Sequence, residues 1–239
     1  MELPLLALLT FIAAVIGTMT GFGTSTVMVP VLVMFFPVPV VLLFVGILHW
    51  CGDVWKMLLF RKIRLRIALA FGVPAILLSI AGASLVLTIP HELMIRALGV
   101  FLILYAVSIL VFHMHSTMRP GALSAMLGGG LSGFCIGLFG FGGELRTVFL
   151  TLYRLPKEVY LGTIGAVAFM TDIARIATYW LSGVRLPDDL LQSLLVLIPV
   201  TLLGAWAAKR FLSHVPEQRF QAVLLIGLLL IGAKLVIAP

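Results

Sequence analysis

The stretch GTMTGFGTS occupies residues 17–25, and a related stretch, GLFGFGGE, occupies residues 137–144. Both stretches lie between apolar segments, and glycine at this density interrupts an α-helix. Both also contain the tripeptide Gly-Phe-Gly, at residues 21–23 and 140–142. We therefore expect the chain to contain two helix breaks at related positions.

Composition places these breaks in a membrane. Of the 239 residues, 62% are hydrophobic and 10% are charged, whereas an ordinary soluble domain carries about 25% charged residues. This leaves too little polar surface to cover a soluble globule. The sequence therefore predicts an all-α polytopic membrane protein. Its first apolar stretch lacks a preceding positive region and is expected to be retained rather than cleaved.

Ten apolar segments follow one another along the chain. They are predicted at 3–20, 22–36, 38–60, 67–88, 93–113, 121–139, 141–154, 157–181, 188–208 and 219–238. The two that begin at the breaks reach only ~22 Å as helices, against a hydrocarbon core of ~30 Å. Broken backbone at membrane depth is tolerated only where it is buried in protein or lines a cavity. We predict about eight full transmembrane helices plus re-entrant half-helices that meet near the midplane. The sequence leaves open whether 22–36 and 141–154 are re-entrant or full crossings.

The two breaks belong to an internal repeat. A shift of 119 residues also aligns five further pairs of Gly, Pro and charged residues: Pro37 with Pro156, Gly46 with Gly165, Asp53 with Asp172, Lys56 with Arg175, and Arg66 with Arg185. Each half holds five segments, an odd number, so the second half enters the membrane from the opposite side. We predict inverted repeats at 1–118 and 119–239 within one membrane domain. Inverted repeats with matching glycine-broken segments are typical of transporters.

Basic residues are distributed unevenly between the loops, which explains the formal net charge of +7 without any nucleic acid partner. One side holds Arg61, Lys62, Arg64, Arg66, Arg119, Arg154, Lys157, Lys209, Arg210 and Arg219, and the other holds Arg96, Arg185 and Lys234. Because cytoplasmic loops carry the excess of Lys and Arg, we expect the first side to be cytoplasmic. Both termini are then extracytoplasmic.

The breaks themselves form the predicted substrate-binding site. Its residues are Gly21, Phe22, Gly23, Thr24, Ser25, Gly140, Phe141, Gly142 and Gly143. A half-helix that begins at mid-membrane directs its backbone N–H groups and positive dipole end toward the protein centre. Two such ends facing each other would bind an anion. Close packing of helices through small residues is the alternative explanation of the glycines.

Ionisable residues inside the apolar segments are the second candidate group, because charge is costly in a membrane. They are Glu144, Arg146, Asp53, Lys56, Asp172, Arg175 and His49. The Asp53–Lys56 and Asp172–Arg175 pairs are one helical turn apart, and either reach the interface as ion pairs or place their cations in vestibules that guide an anion. Glu144 is either a proton carrier or a structural partner of a nearby cation. His49 is either a proton relay or a hydrogen-bonded core residue. No metal-ligand cluster or nucleotide-binding motif is present in the sequence, so no metal or cofactor is expected.

With these residues identified, the chain resembles the sulfite exporter TauE/SafE family over nearly its whole length. The first copy of the motif reads GFGTSTVMVP, from Gly21 to Pro30, and the second reads GLFGFGGELRTVF, from Gly137 to Phe149. The sequence departs from the family pattern at Thr24 and Ser25, where more glycine is usual. It departs again at Glu144 and Arg146, where small or apolar residues are usual, and at Phe149, which replaces a proline. The resemblance implies transport of sulfur oxyanions, often efflux, in the bacterial inner membrane.

We therefore expect a secondary transporter for a small anion such as sulfite, an organosulfonate or a related sulfur oxyanion. Alternating access of the two repeats would move the anion, with export favoured by the membrane potential. The alternatives are an anion channel of the same architecture and proton-coupled uptake of a small organic anion. The expected partners are the small anion and the lipid bilayer. A coupling proton or sodium ion and a homodimer stay open, and no enzymatic activity is expected.

Overall fold

The computed structural model describes residues 2–20, 23–112, 119–211 and 217–238, and these ranges are helical apart from short connections. The helices are α1 (Leu3–Thr20), α2 (Ser25–Leu32), α3 (Val38–Phe60), α4 (Leu65–Val86), α5 (His91–Phe112), α6 (Ala122–Phe139), α7 (Gly143–Leu150), α8 (Lys157–Leu181), α9 (Asp188–Phe211) and α10 (Glu217–Ile237). Each predicted segment corresponds to one of these helices within a few residues. The predicted all-α class is confirmed for the described part of the chain.

Six of the described helices, α3, α4, α5, α6, α8 and α9, are long and apolar enough to cross a membrane. Shorter apolar stretches occupy Leu3–Thr18 in α1 and Leu225–Ile237 in α10. Large apolar side chains such as Leu77, Leu181 and Leu195 are exposed along these helices, as expected for surfaces that contact lipid. The chain is therefore a multi-pass membrane protein. The predicted number of about eight full crossings stays a prediction.

The two short helices, α2 and α7, are each eight residues long. At 1.5 Å per residue they reach only about 12 Å, well short of the hydrocarbon core. The breaks that precede them are narrower than the glycine-rich stretches, because α1 continues through Gly17 and α6 continues through Gly137. Helix α1 ends at Thr20, and α6 ends at Phe139 with Gly140 as its C-cap.

Prolines at matching positions begin the two long helices that follow. Pro37 precedes α3 with a φ of −56°, and Pro156 precedes α8 with a φ of −54°. Proline presets a backbone angle suitable for the first helical turn and lacks an N–H that would need a partner there. Helices α3 and α8 pack on each other. Trp50 on α3 contacts Phe169 on α8, whereas Gly46, one turn earlier on α3, lies next to Ile176, two turns later on α8. The two helices therefore run antiparallel.

Glycine also brings α4 and α6 into close contact. A Cβ atom on Gly129, Gly133 or Gly137 would overlap a backbone carbonyl oxygen of α4, and these three glycines are four residues apart. They form one face of α6, so the two helix backbones touch directly. Small residues therefore serve as packing surfaces within α6, as the alternative explanation of the glycines proposed. At Gly140 and Gly142 the glycines have a different role.

Candidate functional site

A small cavity lies where the two breaks meet α3 and α8. Its lining consists of Ser25, His49, Asp53, Ile136, Gly140, Phe141, Gly143, Arg146, Ile164 and Ala168. Most of these residues were predicted from the sequence, and they come from both halves of the chain. The cavity volume of about 20 Å³ is enough for one or two water molecules.

The first break is held by backbone contacts. The Gly23 N–H donates a hydrogen bond to the Gly17 carbonyl over 3.1 Å, which folds the start of α2 back against the end of α1. Gly23 has a φ of 86°, in the left-handed region that favours glycine. A Cβ atom on Gly23 would overlap Nε2 of His49. The backbone at Gly23 thus lies in direct contact with the imidazole ring of His49 on α3.

The second break is held by side chains from α8. Gly140 ends α6 with a φ of 82°, and Gly142 precedes α7 with a φ of 149°. Nη1 of Arg175 donates to the Gly140 carbonyl over 3.2 Å, and the Tyr179 hydroxyl donates to the Gly137 carbonyl. Carbonyl groups at the C-terminal end of α6 therefore accept hydrogen bonds from side chains of α8. These bonds fix the position where α7 begins.

Buried charges connect the two halves beside the cavity. Nδ1 of His49 lies 2.6 Å from Oδ2 of Asp172 and 3.4 Å from Oδ2 of Asp53. Nε of Arg175 donates to the other oxygen of Asp172 over 2.7 Å. The Asp172 carboxylate thus accepts one hydrogen bond from each side, and the predicted Asp172–Arg175 pair forms. His49 is thus buried and hydrogen-bonded, and this position fits both alternatives, a core residue and a proton relay.

The position of the Arg175 guanidinium differs from the one expected from the sequence. Its side chain is fully buried, so it neither reaches the membrane interface nor lies in an open vestibule. The physical reason is that the Asp172 carboxylate and the Gly140 carbonyl solvate the guanidinium inside the protein. Lys56, the matching residue on α3, has a side chain outside the described set.

Three buried polar atoms around the breaks lack a hydrogen-bond partner among the described residues. They are Oγ1 of Thr24, Oγ of Ser25 and Nη2 of Arg175. Thr24 is the N-cap of α2, yet its side chain makes no capping bond, although a threonine there usually does. Buried polar groups are nearly always satisfied, so unsatisfied ones call for a water or a ligand. Arg146, buried on α7, contributes a guanidinium to the cavity lining.

A metal ion is a poor fit to this cluster. Potential ligand atoms of His49, Asp53 and Asp172 lie within 4.8 Å of one another. Both oxygens of Asp172, however, already accept hydrogen bonds from His49 and Arg175. The buried Arg175 guanidinium beside them would repel a cation. The arrangement fits an ion-pair network next to a small polar cavity better than a metal centre.

Some residues of the predicted site lie wholly or partly outside the described part of the chain. Gly21 and Phe22 lie outside the described residues, and so does the side chain of Glu144, although its backbone belongs to α7. Three lining residues, Ile136, Ile164 and Ala168, were not predicted. Ala168 carried a usable signal, because the shift of 119 residues aligns it with His49.

This fold and site define a class: a multi-pass helical membrane protein with a buried polar cavity at two interrupted helices, an arrangement typical of transporters. The chain belongs to the sulfite exporter TauE/SafE family, whose model matches residues 6–235. The resemblance noted in the sequence is therefore confirmed, and membership implies a membrane transporter of sulfur anions rather than an enzyme. No curated protein and no solved structure matches the chain.

Proposed function

We propose that this protein is a secondary transporter that moves sulfite, an organosulfonate or a related sulfur oxyanion across the bacterial inner membrane by alternating access. The observation that carries the proposal is the set of buried donors without partners at Thr24, Ser25 and Arg175. Two come from the first half of the chain and one from the second. Ser25 lines the cavity, and Arg175 is bonded to the carbonyl of the lining residue Gly140. Donors from both halves of the chain therefore lie close to the cavity in which we propose that the anion binds.

The chemistry of a sulfur oxyanion suits these groups. Such an anion presents several oxygen atoms that accept hydrogen bonds, and hydroxyl and guanidinium groups only need an acceptor to be satisfied. The N-termini of α2 and α7 add partial positive charge. The cavity of about 20 Å³ is smaller than a hydrated anion, so binding requires the anion to shed water. The starts of α2 and α7 must also move apart to admit it.

Alternating access follows from the proposed inverted repeats. Helices α3 and α8 occupy matching places in the two halves and pack antiparallel, as two-fold related helices do. Trp50 stacks on Phe169, and these residues are also 119 positions apart. The other packed pairs fit the same relation, because α1 packs on α9 as α6 packs on α4. The binding site lies between the repeats, where this class of transporter places it.

The loop contacts support the proposed orientation. Nζ of Lys62 pairs with Oε2 of Glu158 over 2.6 Å, and the Tyr153 hydroxyl donates to the Gly121 carbonyl. These contacts gather the loops around residues 61–64, 119–121 and 153–158 at one end of the protein. Since these loops hold most of the basic residues, we place that end in the cytoplasm and both termini outside. A negative interior then favours anion export by ~2.3 kcal/mol per charge per 100 mV. A coupling ion and association into a homodimer remain part of the proposal.

A counter-flow experiment tests the function. Proteoliposomes loaded with unlabelled sulfite should accumulate radiolabelled sulfite with saturable kinetics. Combining Thr24→Val with Ser25→Ala should raise the half-saturation concentration about tenfold or more, because a hydrogen bond to a charged group contributes ~1.5–3 kcal/mol. Ser193→Ala is the matched control, since that buried hydroxyl bonds to the Leu190 carbonyl far from the breaks. Absence of saturable exchange would refute the transporter, and ion conductance without counter-flow would identify a channel.

A further inference from the structure

We propose that His49 binds a proton together with the transported anion, and that its protonated Nε2 atom is then a direct ligand of that anion. This inference rests on the proposed function and deepens it, because it adds a proton to the same site. It also selects one residue from several ionisable candidates around the cavity. The two ring nitrogens of His49 have separate roles, because they face different groups.

Nδ1 keeps its hydrogen in both charge states. It lies 2.6 Å from Oδ2 of Asp172 and 3.4 Å from Oδ2 of Asp53. Carboxylate oxygens accept hydrogen bonds and do not donate them, so Nδ1 must be the donor. A neutral His49 therefore carries its hydrogen on Nδ1 and has a lone pair on Nε2. The proton that comes and goes is the one on Nε2.

Nε2 lies at the first helix break. The imidazole lines the cavity together with Ser25 and Arg146. A Cβ atom on Gly23 would overlap Nε2, so the ring touches the backbone just before α2. Protonation of Nε2 thus adds a positive charge to a ring that lines the cavity, and Nε2 can donate to an anion once the start of α2 has moved away from the ring. Without that proton, Nε2 presents a lone pair, which repels an anion.

The charge of the surrounding cluster favours joint binding. Among the side chains that the structure describes, the charged groups beside the ring are Asp53 on α3, Asp172 and Arg175 on α8, and Arg146 on α7. These two acids and two bases sum to zero when His49 is neutral. They sum to one positive charge when it is protonated, which complements an anion. Anion binding and proton binding therefore strengthen each other.

The other charged side chains that the structure describes on the elements packed against α3 are exposed and do not reach the ring. Helix α2 carries none. The pair Glu92–Arg96 on α5 is exposed, and so are Asp188, Asp189 and Arg210 on α9, and Lys157 and Glu158 on α8. The thiols of Cys51 and Cys135 are half-buried, and neither lines the cavity. Lys56 and Glu144 lie on α3 and α7 with side chains outside the described set, and Glu144 is the competing proton carrier.

Proton binding by His49 determines the net charge that one transport step moves across the membrane. A doubly charged anion that moves with one proton transfers one net negative charge. Export then still follows the membrane potential. A singly charged anion moving with one proton transfers no net charge and responds only to the concentration and pH gradients.

The test compares sulfite counter-flow by wild type, His49→Asn and His49→Gln between pH 6 and pH 8.5. Asparagine places a neutral amide donor near the position of Nδ1 and lacks Nε2, whereas glutamine places a neutral donor near Nε2. Because sulfite itself takes up a proton near neutral pH, each result is read as the ratio of variant to wild type. For both variants we expect the ratio of variant to wild-type half-saturation concentration to be about tenfold larger at pH 6 than at pH 8.5.

A ratio that does not change with pH overturns the inference, since a purely structural role of His49 would weaken binding equally at every pH. Glu144→Gln is the second comparison, and it should retain the wild-type pH profile. Loss of the profile in Glu144→Gln, together with its retention in His49→Asn, assigns the proton to Glu144 instead. Absence of saturable exchange in the wild type overturns the proposed function together with this inference. Exchange with a constant ratio overturns this inference alone.

Discussion

Trp50 on α3 stacks on Phe169 on α8, with ring centroids 5.5 Å apart, and 119 positions separate the two residues in the chain. The same separation relates Asp53 to Asp172. If the two halves are the inverted repeats that we propose, equivalent residues contact each other only near the axis that exchanges the repeats. The cluster around His49 therefore lies at the crossing of α3 and α8, where both halves of the chain contribute to one site.

The first prediction concerns which side of the membrane each loop faces. Lys62 pairs with Glu158 at the start of α8, whereas Ser182 follows the end of that 25-residue helix. After replacement of Cys51 and Cys135 by alanine, Lys62→Cys should react with an impermeant maleimide only from the cytoplasm. Ser182→Cys should react only from outside.

The two labelling results separate two claims. Reaction of both cysteines from the same side would contradict a full crossing by α8. Reaction from opposite sides, but with the sides exchanged, would preserve the crossing and contradict the orientation inferred from the basic loops.

The second prediction concerns the first helix break. Gly23 and Gly183 have similar φ angles, 86° and 90°, so leucine suffers similar backbone strain at both. Only Gly23 lies against another group, the His49 ring, whereas no heavy atom lies within 4 Å of a Cβ built on Gly183. We expect Gly23→Leu to abolish sulfite counter-flow while the protein still inserts, and Gly183→Leu to retain it. Equal losses in the two variants would attribute the effect to backbone strain alone.

The third prediction concerns the energetics of the buried charges. Asp172→Asn removes the charge that compensates Arg175, which is fully buried. Breaking a buried ion pair by neutralising one partner costs ~3–5 kcal/mol. Glu158→Gln breaks the exposed pair with Lys62 and should cost about 0–1 kcal/mol. Chemical denaturation of the purified protein in detergent measures both free energies of unfolding. Comparable small values for the two variants would show that Arg175 is solvated by other groups.

Much of the fold could be predicted because helix positions depend on local patterns. Hydropathy locates the apolar segments, and the helix ends fall at Gly and Pro positions such as Pro37, Pro156 and Gly140. The three glycines at 129, 133 and 137 have a visible spacing of four residues that indicates a packing face. Their partner, α4, is not visible in that pattern, because helix pairing is a property of the whole fold.

The site was predicted less completely for the same reason. His49 has no ionisable counterpart in the aligned repeat, where Ala168 occupies its position. Its partner is Asp172, 123 residues away, and that contact arises only when α3 packs on α8. Likewise, the spacing of Asp172 and Arg175 predicts their pairing, but it does not indicate that the pair is buried. That follows from the Gly140 carbonyl, which approaches from α6.

The glycine face of α6 has a consequence for motion. Through this face, α6 packs on α4 with direct backbone contact. Helix α6 belongs to the second half of the sequence, and α4 belongs to the first half. In the same way, Gly204 of α9 lies against Ala14 of α1. A rigid-body rotation of residues 1–118 against residues 119–239 would break these close contacts. Rigid bodies that keep these contacts would therefore each contain helices from both halves of the chain, and the boundary between those bodies would differ from the boundary between the proposed repeats.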